Sequence, residues 1–326
     1  MATKRHADLD RLKGVAIFLV VLGHVVSREP PQNAQWYMYL KDSIYLFHMP
    51  LFMFISGLIL AYARKPMVTL QDYGKYLQSK FIRLIPAYLG FSAIIFIGKA
   101  ACGQVMHVDN PVVTAGDFFN VLLNPHSSYC AYLWYIYVLF LFYLLAPLAY
   151  RLTGNRIQLL LPFCIVAYFL NVTPYFALSS VAEYSLVFTL GCLAGEHYQR
   201  YSSLLDRYGA LFVAPFLVAL AFAVPWGVPK LLLGLLSIPA CHAMVRMDAA
   251  DFLGVFKTLG KYTFPIYLMN TAFIGLSKGV MFQFASWDGV NFFWFAPTLL
   301  AAGIVGPILV KRVVIARSQF LNTIVA

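Results

Sequence analysis

The sequence predicts an all-α integral membrane protein whose helices cross the bilayer about ten times within one bundle. Apolar residues make up 61% of the 326 residues and charged residues only 11%. The mean hydropathy is +0.74. A soluble domain has about 45–50% apolar and about 25% charged residues. The apolar residues also fall into segments of roughly 17–25 residues, the length that a helix needs to cross a bilayer.

Ten such segments follow one another along the chain, near 14–28, 43–63, 83–101, 131–150, 157–172, 182–199, 210–225, 229–245, 262–279 and 291–310. The stretch 64–82 between the second and third is basic and partly amphipathic, so it is expected along the inner surface. The longest polar insertions, near 28–42 and 102–130, are expected outside. Because no soluble domain interrupts the series, residues 1–326 are predicted to form a single transmembrane domain.

The net charge of +11 is arranged by side of the membrane. With a cytoplasmic N-terminus, 19 of the 24 Lys and Arg residues fall in inner segments, and five fall outside: Arg28, Lys41, Lys99, Lys230 and Lys278. The positive-inside rule predicts this asymmetry. Ten spans then place both termini in the cytoplasm. The orientation of the chain in the membrane thus accounts for the excess of positive charge, so no nucleic-acid partner is expected.

Of the histidines within the apolar spans, two lie away from the inner boundary. Ionisable groups are costly inside a bilayer and usually face a cavity in which they act. His24 follows Lys13 by eleven residues, about 16 Å along a helix, and is expected near mid-membrane. His48 lies in the outer part of the second span, in "YLFHMPLFMFISG". Each ring could instead simply hydrogen-bond a neighbouring helix backbone.

Positive charges gather at the inner ends of the first and third spans. Lys13 precedes the first span, and Lys80 and Arg83 open the third in "SKFIRLIPAYLG". These side chains could bind the phosphates of an anionic cytosolic ligand, or simply anchor the helices at the headgroups. His24, deeper in the helix that starts at Lys13, is suited to act as a general base. The pattern indicates transfer of a group from a cytosolic donor toward an acceptor reached from the other side.

Other polar residues carry weaker signals. Glu196, His197 and His242 are interpreted as residues of the inner boundary. The five cysteines show no metal-ligand spacing, so no metal site is predicted. The main alternative function is a transporter or flippase of a small solute or glycan precursor, because such bundles also contain buried ionisable residues. A transporter would more often show interrupted helices in both halves, and the sequence offers no convincing pair.

Several motifs in this chain match one known family in order. "LDRLKGVAIFLVVLGH" and "FHMPLFMFISG" resemble "LDxLRGxAxxxVVxxH" and "FHMPLFFFISG" of the membrane-bound acyltransferase family 3. The third span opens with an Arg-x-x-Arg-type pattern, here Lys80 and Arg83, ahead of Pro86. "LWYIYVLFLFYLLAPL" and "LGKYTFPIYLMN" resemble later spans. The resemblance covers nearly the full length and is greatest to the branch that includes fucose 4-O-acetylases.

The resemblance implies an acyl-CoA-dependent O-acetyltransferase with about ten transmembrane helices in the bacterial inner membrane. It implies an acyl-CoA, by default acetyl-CoA, as donor substrate on the cytoplasmic side and no other cofactor. The implied acceptor is a sugar hydroxyl of a polysaccharide or lipid-linked glycan, as in exopolysaccharide or O-antigen of the cell envelope. Membrane lipid and glycan-synthesis proteins are further expected partners.

The resemblance also implies roles for single residues. His24 matches the motif histidine taken as catalytic, either as the base on an acceptor hydroxyl or as a nucleophile that forms an acyl-histidine. Arg83 matches the third-span arginine. Lys13 stands where most members have arginine, so it keeps the charge and loses the bidentate fork. Together with Lys80, these two side chains are expected to hold the donor's phosphates.

Three residues have expected supporting roles or none. Asp10 is expected to orient Lys13 or to cap the first helix. His48 is expected to contact the acceptor or to stabilise negative charge that develops during transfer. Asn270 stands where many members carry histidine in "IYLxH", so no proton-transfer role is assigned to it.

Overall fold

A computed structural model describes residues 7–26, 30–64, 69–103, 108–247 and 253–325. These residues form α-helices and short 3-10 turns without a β-strand among them, which confirms the all-α prediction. The helices are α1 (Ala7–His24), α2 (Gln35–Tyr45), α3 (His48–Tyr62), α4 (Leu70–Cys102), α5 (Asn120–Leu123), α6 (Trp134–Leu152), α7 (Leu161–Phe169), α8 (Leu178–Glu196), α9 (Tyr198–Ala221), α10 (Lys230–Arg246), α11 (Leu253–Lys261), α12 (Thr263–Met281), α13 (Phe292–Val313) and α14 (Gln319–Ile324). Four of the charges used to predict the orientation, Lys4, Arg5, Arg28 and Lys65, lie outside the described residues.

Six helical segments in the described part of the chain are long and apolar enough to cross a membrane: Gln35–Tyr62, Leu70–Cys102, Ala131–Leu152, Tyr175–Glu196, Tyr198–Ala221 and Gly289–Arg317. They coincide with six of the ten predicted spans. The other four predicted spans are also helical, in α1, α7, α10 and α12. The helices at Ile157–Phe169 and α10 are shorter, and α1 carries four charged residues. The chain is a multi-pass membrane protein; ten spans and cytoplasmic termini stay predictions.

Helices α1 and α3 form the centre of the bundle. α1 packs against α3, α10, α11, α12 and α13, and its side chains Leu12, Ile17 and Val21 are fully buried. α3 packs against α1, α8 and α10, and thirteen of its fifteen residues are buried. In contrast, α4, α7 and α9 leave apolar side chains such as Ile97, Phe163 and Leu211 exposed. Exposed apolar faces on the outer helices are the arrangement that a lipid surrounding favours.

Glycines allow the central helices to approach each other closely. A Cβ atom on Gly57 of α3 would lie 2.1 Å from the carbonyl oxygen of Phe188 in α8, and one on Gly191 of α8 would lie 2.1 Å from that of Phe54. Small residues at such positions let membrane helices pack backbone to backbone. The "FISG" motif is therefore a close helix contact. Gly14, in the first motif, packs in the same way against the backbone of α11.

The second predicted span is interrupted. α2 ends at Tyr45 and α3 begins at His48, with a turn at Leu46 and Phe47 between them. The sequence gives no sign of this break, because its apolar residues continue through it. α1 begins seven residues before the predicted first span and ends at His24. Both motif histidines therefore lie at helix ends.

Candidate active site

A cavity of about 480 Å³ lies where several helix ends meet. His24 ends α1, and His48, Trp134 and Lys230 begin α3, α6 and α10; all four line the cavity. Its volume lies within the range of about 300–1,000 Å³ typical of small-molecule sites. Because α1 runs toward the cavity from its basic N-terminal end, the predicted orientation places the cavity toward the outer side of the membrane.

The ring of His24 is oriented by Asn270 of α12. The Nδ2 group of Asn270 donates hydrogen bonds of 2.9 Å to the carbonyls of Ile266 and Tyr267. Its Oδ1 atom must therefore face His24, where it lies 2.8 Å from Nδ1. An amide oxygen only accepts hydrogen bonds, so Nδ1 of His24 carries a proton. Nε2, which has no hydrogen-bond partner among the described residues, is then the nitrogen that can accept a proton.

Asn270 was assigned no proton-transfer role from the sequence, and the structure makes it the residue that selects the tautomer of His24. It is fully buried, so water does not compete for its amide oxygen. The feature of the sequence that could have indicated a role for Asn270 was its position, since many family members carry histidine there. A residue that accepts from Nδ1 has the same orienting function whether or not it transfers a proton itself.

We predict that Asn270→Leu lowers kcat by about 10–100-fold, the usual cost of losing a partner that orients a functional histidine. Binding of a ligand at the predicted phosphate-binding cations should not change, because the hydrogen bonds of Asn270 go to His24, Ile266 and Tyr267 and not to those cations. Asn270→His is the matched control, and an imidazole nitrogen there can still accept from Nδ1. Steady-state transfer rates with purified protein test this, and equal rates for Asn270→Leu and the wild type would remove Asn270 from the site.

His48 lies in the same cavity with a similar hydrogen-bond pattern. Its Nδ1 atom is 2.8 Å from the carbonyl oxygen of Ile44 and donates to it. This leaves Nε2 of His48 without a partner among the described residues. The ring of Tyr45 packs on His48 at a centroid distance of 5.0 Å. Tyr45 also donates a hydrogen bond to the carbonyl of Gly23, next to His24, and so joins the two histidine-bearing helix ends.

Aromatic side chains form much of the remaining wall: Tyr45, Tyr132, Trp134, Tyr184 and Tyr267. The Tyr132 ring meets the His24 ring edge to face, with centroids 6.1 Å apart. The hydroxyl of Tyr132 donates to the carbonyl of Leu268 in α12 at 2.9 Å, which fixes the ring. Aromatic walls of this kind can pack on the apolar faces of sugar rings. They are equally typical of the apolar interior of a protein.

The predicted phosphate-binding cations lie outside this cavity. Lys13 forms a 2.7 Å ion pair with Asp10. Lys80 lies over the rings of Tyr76 and Tyr143 at 5.4 and 4.7 Å, and Arg83 is exposed. No hydrogen bond or ion pair joins Lys13 to Lys80 or Arg83 within the described ranges. Asp10 thus contacts Lys13, as its predicted role of orienting Lys13 requires. Lys13, Lys80 and Arg83 do not form one hydrogen-bonded cluster in the described part of the chain.

A polar network that the sequence analysis did not identify fixes the start of α1. Asp8 accepts hydrogen bonds from Tyr198 at 2.5 Å and from Arg246, and its Oδ2 atom lies 3.4 Å from Nε2 of His242. His242, interpreted as an inner-boundary residue, is fully buried. Arg246 also binds both carboxylate oxygens of Asp206 at 2.6 and 2.7 Å. This network ties α1 to α9 and α10, so it also holds the helix that carries His24.

We predict that Asp8→Ala destabilises the protein by about 1–3 kcal/mol, because it leaves buried donors without their acceptor. Asp206→Ala removes the other, more exposed carboxylate of the network and should cost no more than about 1 kcal/mol. Thermal unfolding of both variants in the same detergent measures the difference. If the two variants lose the same stability, the burial of Asp8 does not make its hydrogen bonds more stabilising than those of the exposed Asp206.

Comparison with known proteins places the chain in a family. Residues 6–312 match the sequence family described as "Acyltransferase domain". "Nodulation protein NolL" of Sinorhizobium fredii is 30% identical over 151 residues, which cover 45% of this chain and 37% of the relative. The protein of the same name from Mesorhizobium japonicum is 25% identical over 218 residues, which cover 66% and 54%.

The match to these two relatives therefore spans about half of their length or less. No solved structure matches the chain. The family match covers nearly all of it, including the helices that carry His24, His48, Arg83 and Asn270. The chain belongs to the acyltransferase family 3.

Proposed function

We propose that the protein moves an acyl group, acetyl by default, from cytosolic acyl-CoA to a sugar hydroxyl of a cell-surface or lipid-linked glycan. The observation that carries this proposal is His24 in the cavity wall, with its ring oriented by the buried Asn270 behind it. The pair supplies an imidazole with its proton on Nδ1 and an Nε2 that no described residue engages. Such a group is suited to remove a proton from a hydroxyl that enters the cavity.

In the proposed reaction, Nε2 of His24 takes the proton of the acceptor hydroxyl. At the same time, the oxygen of that hydroxyl attacks the carbonyl carbon of the thioester. The tetrahedral intermediate then breaks its carbon–sulfur bond. The CoA thiolate leaves and takes the proton back from Nε2. Asn270 accepts from Nδ1 throughout, so it stabilises the imidazolium that forms between the two proton transfers.

The donor would approach from the inner end of the bundle. Lys13 and Arg83, with Lys80, would bind its phosphates there, since ammonium and guanidinium groups both bind phosphate. α1 is continuous from Lys13 to His24, a distance of about 16 Å at helical rise. The donor's phosphates and its thioester would thus lie at different depths, which suits an extended molecule such as acyl-CoA.

The acceptor would enter from the outer side, where the cavity lies in the predicted orientation. His48 would then contact the acceptor or the oxyanion, and the aromatic wall would pack on the sugar ring. We place the protein in a bacterial cytoplasmic membrane, where acyl-CoA and a growing surface glycan are on opposite sides. The alternative course, in which Nε2 first forms an acyl-histidine, uses the same tautomer.

The test is transfer of label from [acetyl-¹⁴C]acetyl-CoA to glycan by purified protein in liposomes. We expect acceptor-dependent transfer that needs acetyl-CoA on the side of Lys13. Single-turnover mixing without acceptor separates the two courses, because an acyl-histidine would leave label on the protein. A protein that takes up solute into liposomes without any acyl turnover would instead be a transporter.

A further inference from the structure

An ion pair from two further helices lines the same cavity as His24. Nζ of Lys230, the first residue of α10, donates to Oε1 of Glu183 in α8 at 2.5 Å and to the hydroxyl of Tyr184 at 2.9 Å. The side chains of Lys230 and Glu183 remain 35% and 34% exposed. Both charged groups are therefore held in place and still accessible from the cavity.

The pair fixes the charge of the cavity. Of the described residues that line it, Glu183 and Lys230 alone carry a full formal charge, and these charges cancel. Burial lowers the pKa of the His126 ring in the wall beside them, which disfavours a positive charge there. An anionic sugar would place a second carboxylate next to Glu183 and would find the ammonium of Lys230 already engaged. Like charges brought together in this way disfavour binding.

An uncharged sugar fits the same two groups. A carboxylate accepts several hydrogen bonds and an ammonium donates three. Neighbouring sugar hydroxyls can donate to Glu183 and accept from Lys230, and such bonds to charged groups are stronger than neutral ones. The pair offers both partners side by side, as a hydroxyl-rich, neutral ligand requires.

A stack of rings keeps this pair at a fixed place in the wall. The ring of His126 packs on Trp134 at 4.6 Å, and Trp134 packs on Tyr184 at 5.4 Å. Lys230 lies over the ring of Tyr184 at 5.2 Å. His126 is held in turn by Ser180, whose Oγ atom is 2.6 Å from Nε2. The ammonium and carboxylate are thus positioned by four helices or turns rather than by one flexible side chain.

From these observations, and resting on the proposed function, we infer that the Glu183–Lys230 pair binds the acceptor through its hydroxyl groups and selects an uncharged sugar. The pair would orient the sugar so that its target hydroxyl meets Nε2 of His24. Glu183 and Lys230 would be acceptor-binding residues that take no part in the two proton transfers at His24. A partly exposed ion pair contributes little to folding, so variants of either residue should fold.

The experiment measures transfer to matched pairs of acceptors by the purified protein in liposomes. The acceptors are the methyl glycosides of glucose, galactose and mannose, and of their uronic acids. We expect the wild type to favour the neutral member by at least about tenfold in kcat/KM, given the charge repulsion at Glu183. Glu183→Gln should reduce this preference by about tenfold, since it removes the carboxylate and frees the ammonium.

Lys230→Met removes the positive charge of the pair and leaves the carboxylate of Glu183. It should raise the KM for the neutral acceptor without improving transfer to the uronide, because the carboxylate stays. Neither variant should alter the KM for acetyl-CoA, which a general loss of structure would do. An unchanged neutral-to-acidic ratio in folded Glu183→Gln overturns the inference while leaving the proposed function intact. A wild type that transfers to none of these acceptors, and to no glycan, would overturn the proposed function itself.

Discussion

His24→Ala is expected to lower acyl transfer by about 10²–10⁴-fold, the usual contribution of a positioned general base. The expectation follows from the fixed tautomer: Asn270 accepts from Nδ1, so Nε2 is the free acceptor in the cavity. The effect should appear in kcat at saturating acyl-CoA. It is measured as the initial rate of label transfer at matched amounts of folded protein.

The matched control is His48→Ala, which removes a second imidazole from the same cavity. His48 would contact the acceptor or stabilise developing charge. His48→Ala should therefore lower the transfer rate by a smaller factor than His24→Ala. Binding of CoA should be equal in both variants, because the predicted phosphate-binding cations are untouched. If His48→Ala is the more damaging change, the roles of the two histidines must be exchanged.

Gly191→Leu is expected to prevent the bundle from forming. A Cβ atom at this position would lie 2.1 Å from the carbonyl oxygen of Phe54 and 3.0 Å from the amide nitrogen of Leu58. These are backbone atoms of α3, which cannot move aside without separating α3 from α8. Because α3 is central and nearly all buried, the whole core would be disturbed. We expect loss of the monodisperse peak in size-exclusion chromatography after detergent extraction.

Gly90→Leu is the control for this prediction. Gly90 is also inside a long helix, α4, but a Cβ atom there meets nothing within 4 Å. This substitution should leave the chromatographic peak unchanged. A normal peak for Gly191→Leu would mean that α3 and α8 are farther apart than the structure places them.

The sequence predicted the helical class and both motif histidines, because these depend on local patterns. Long apolar segments indicate helices whatever their neighbours, and His24 and His48 stand out as ionisable residues within such segments. The structure brings both to one cavity. Gly57 lies at a close contact between α3 and α8, as small residues in packed membrane helices often do.

Features that depend on contacts between distant parts of the chain were not predicted. His24 and Asn270 are 246 residues apart, and Glu183 and Lys230 are 47 apart. No periodicity connects such pairs, and Lys230 was noted only as one of the outer charges. The break between α2 and α3 was also missed, because "LFHMPLF" continues an apolar run through it. The phosphate-binding roles of Lys13, Lys80 and Arg83 stay predictions.

The most direct test of the account is transfer by purified His24→Ala, with and without added imidazole. The variant leaves a space in the cavity where free imidazole can bind and supply the missing nitrogen. We expect transfer to be lost without imidazole and to return in part, with saturation, as imidazole is added, while the wild-type rate stays unchanged. Transfer by His24→Ala at the wild-type rate without imidazole would contradict the central role of His24.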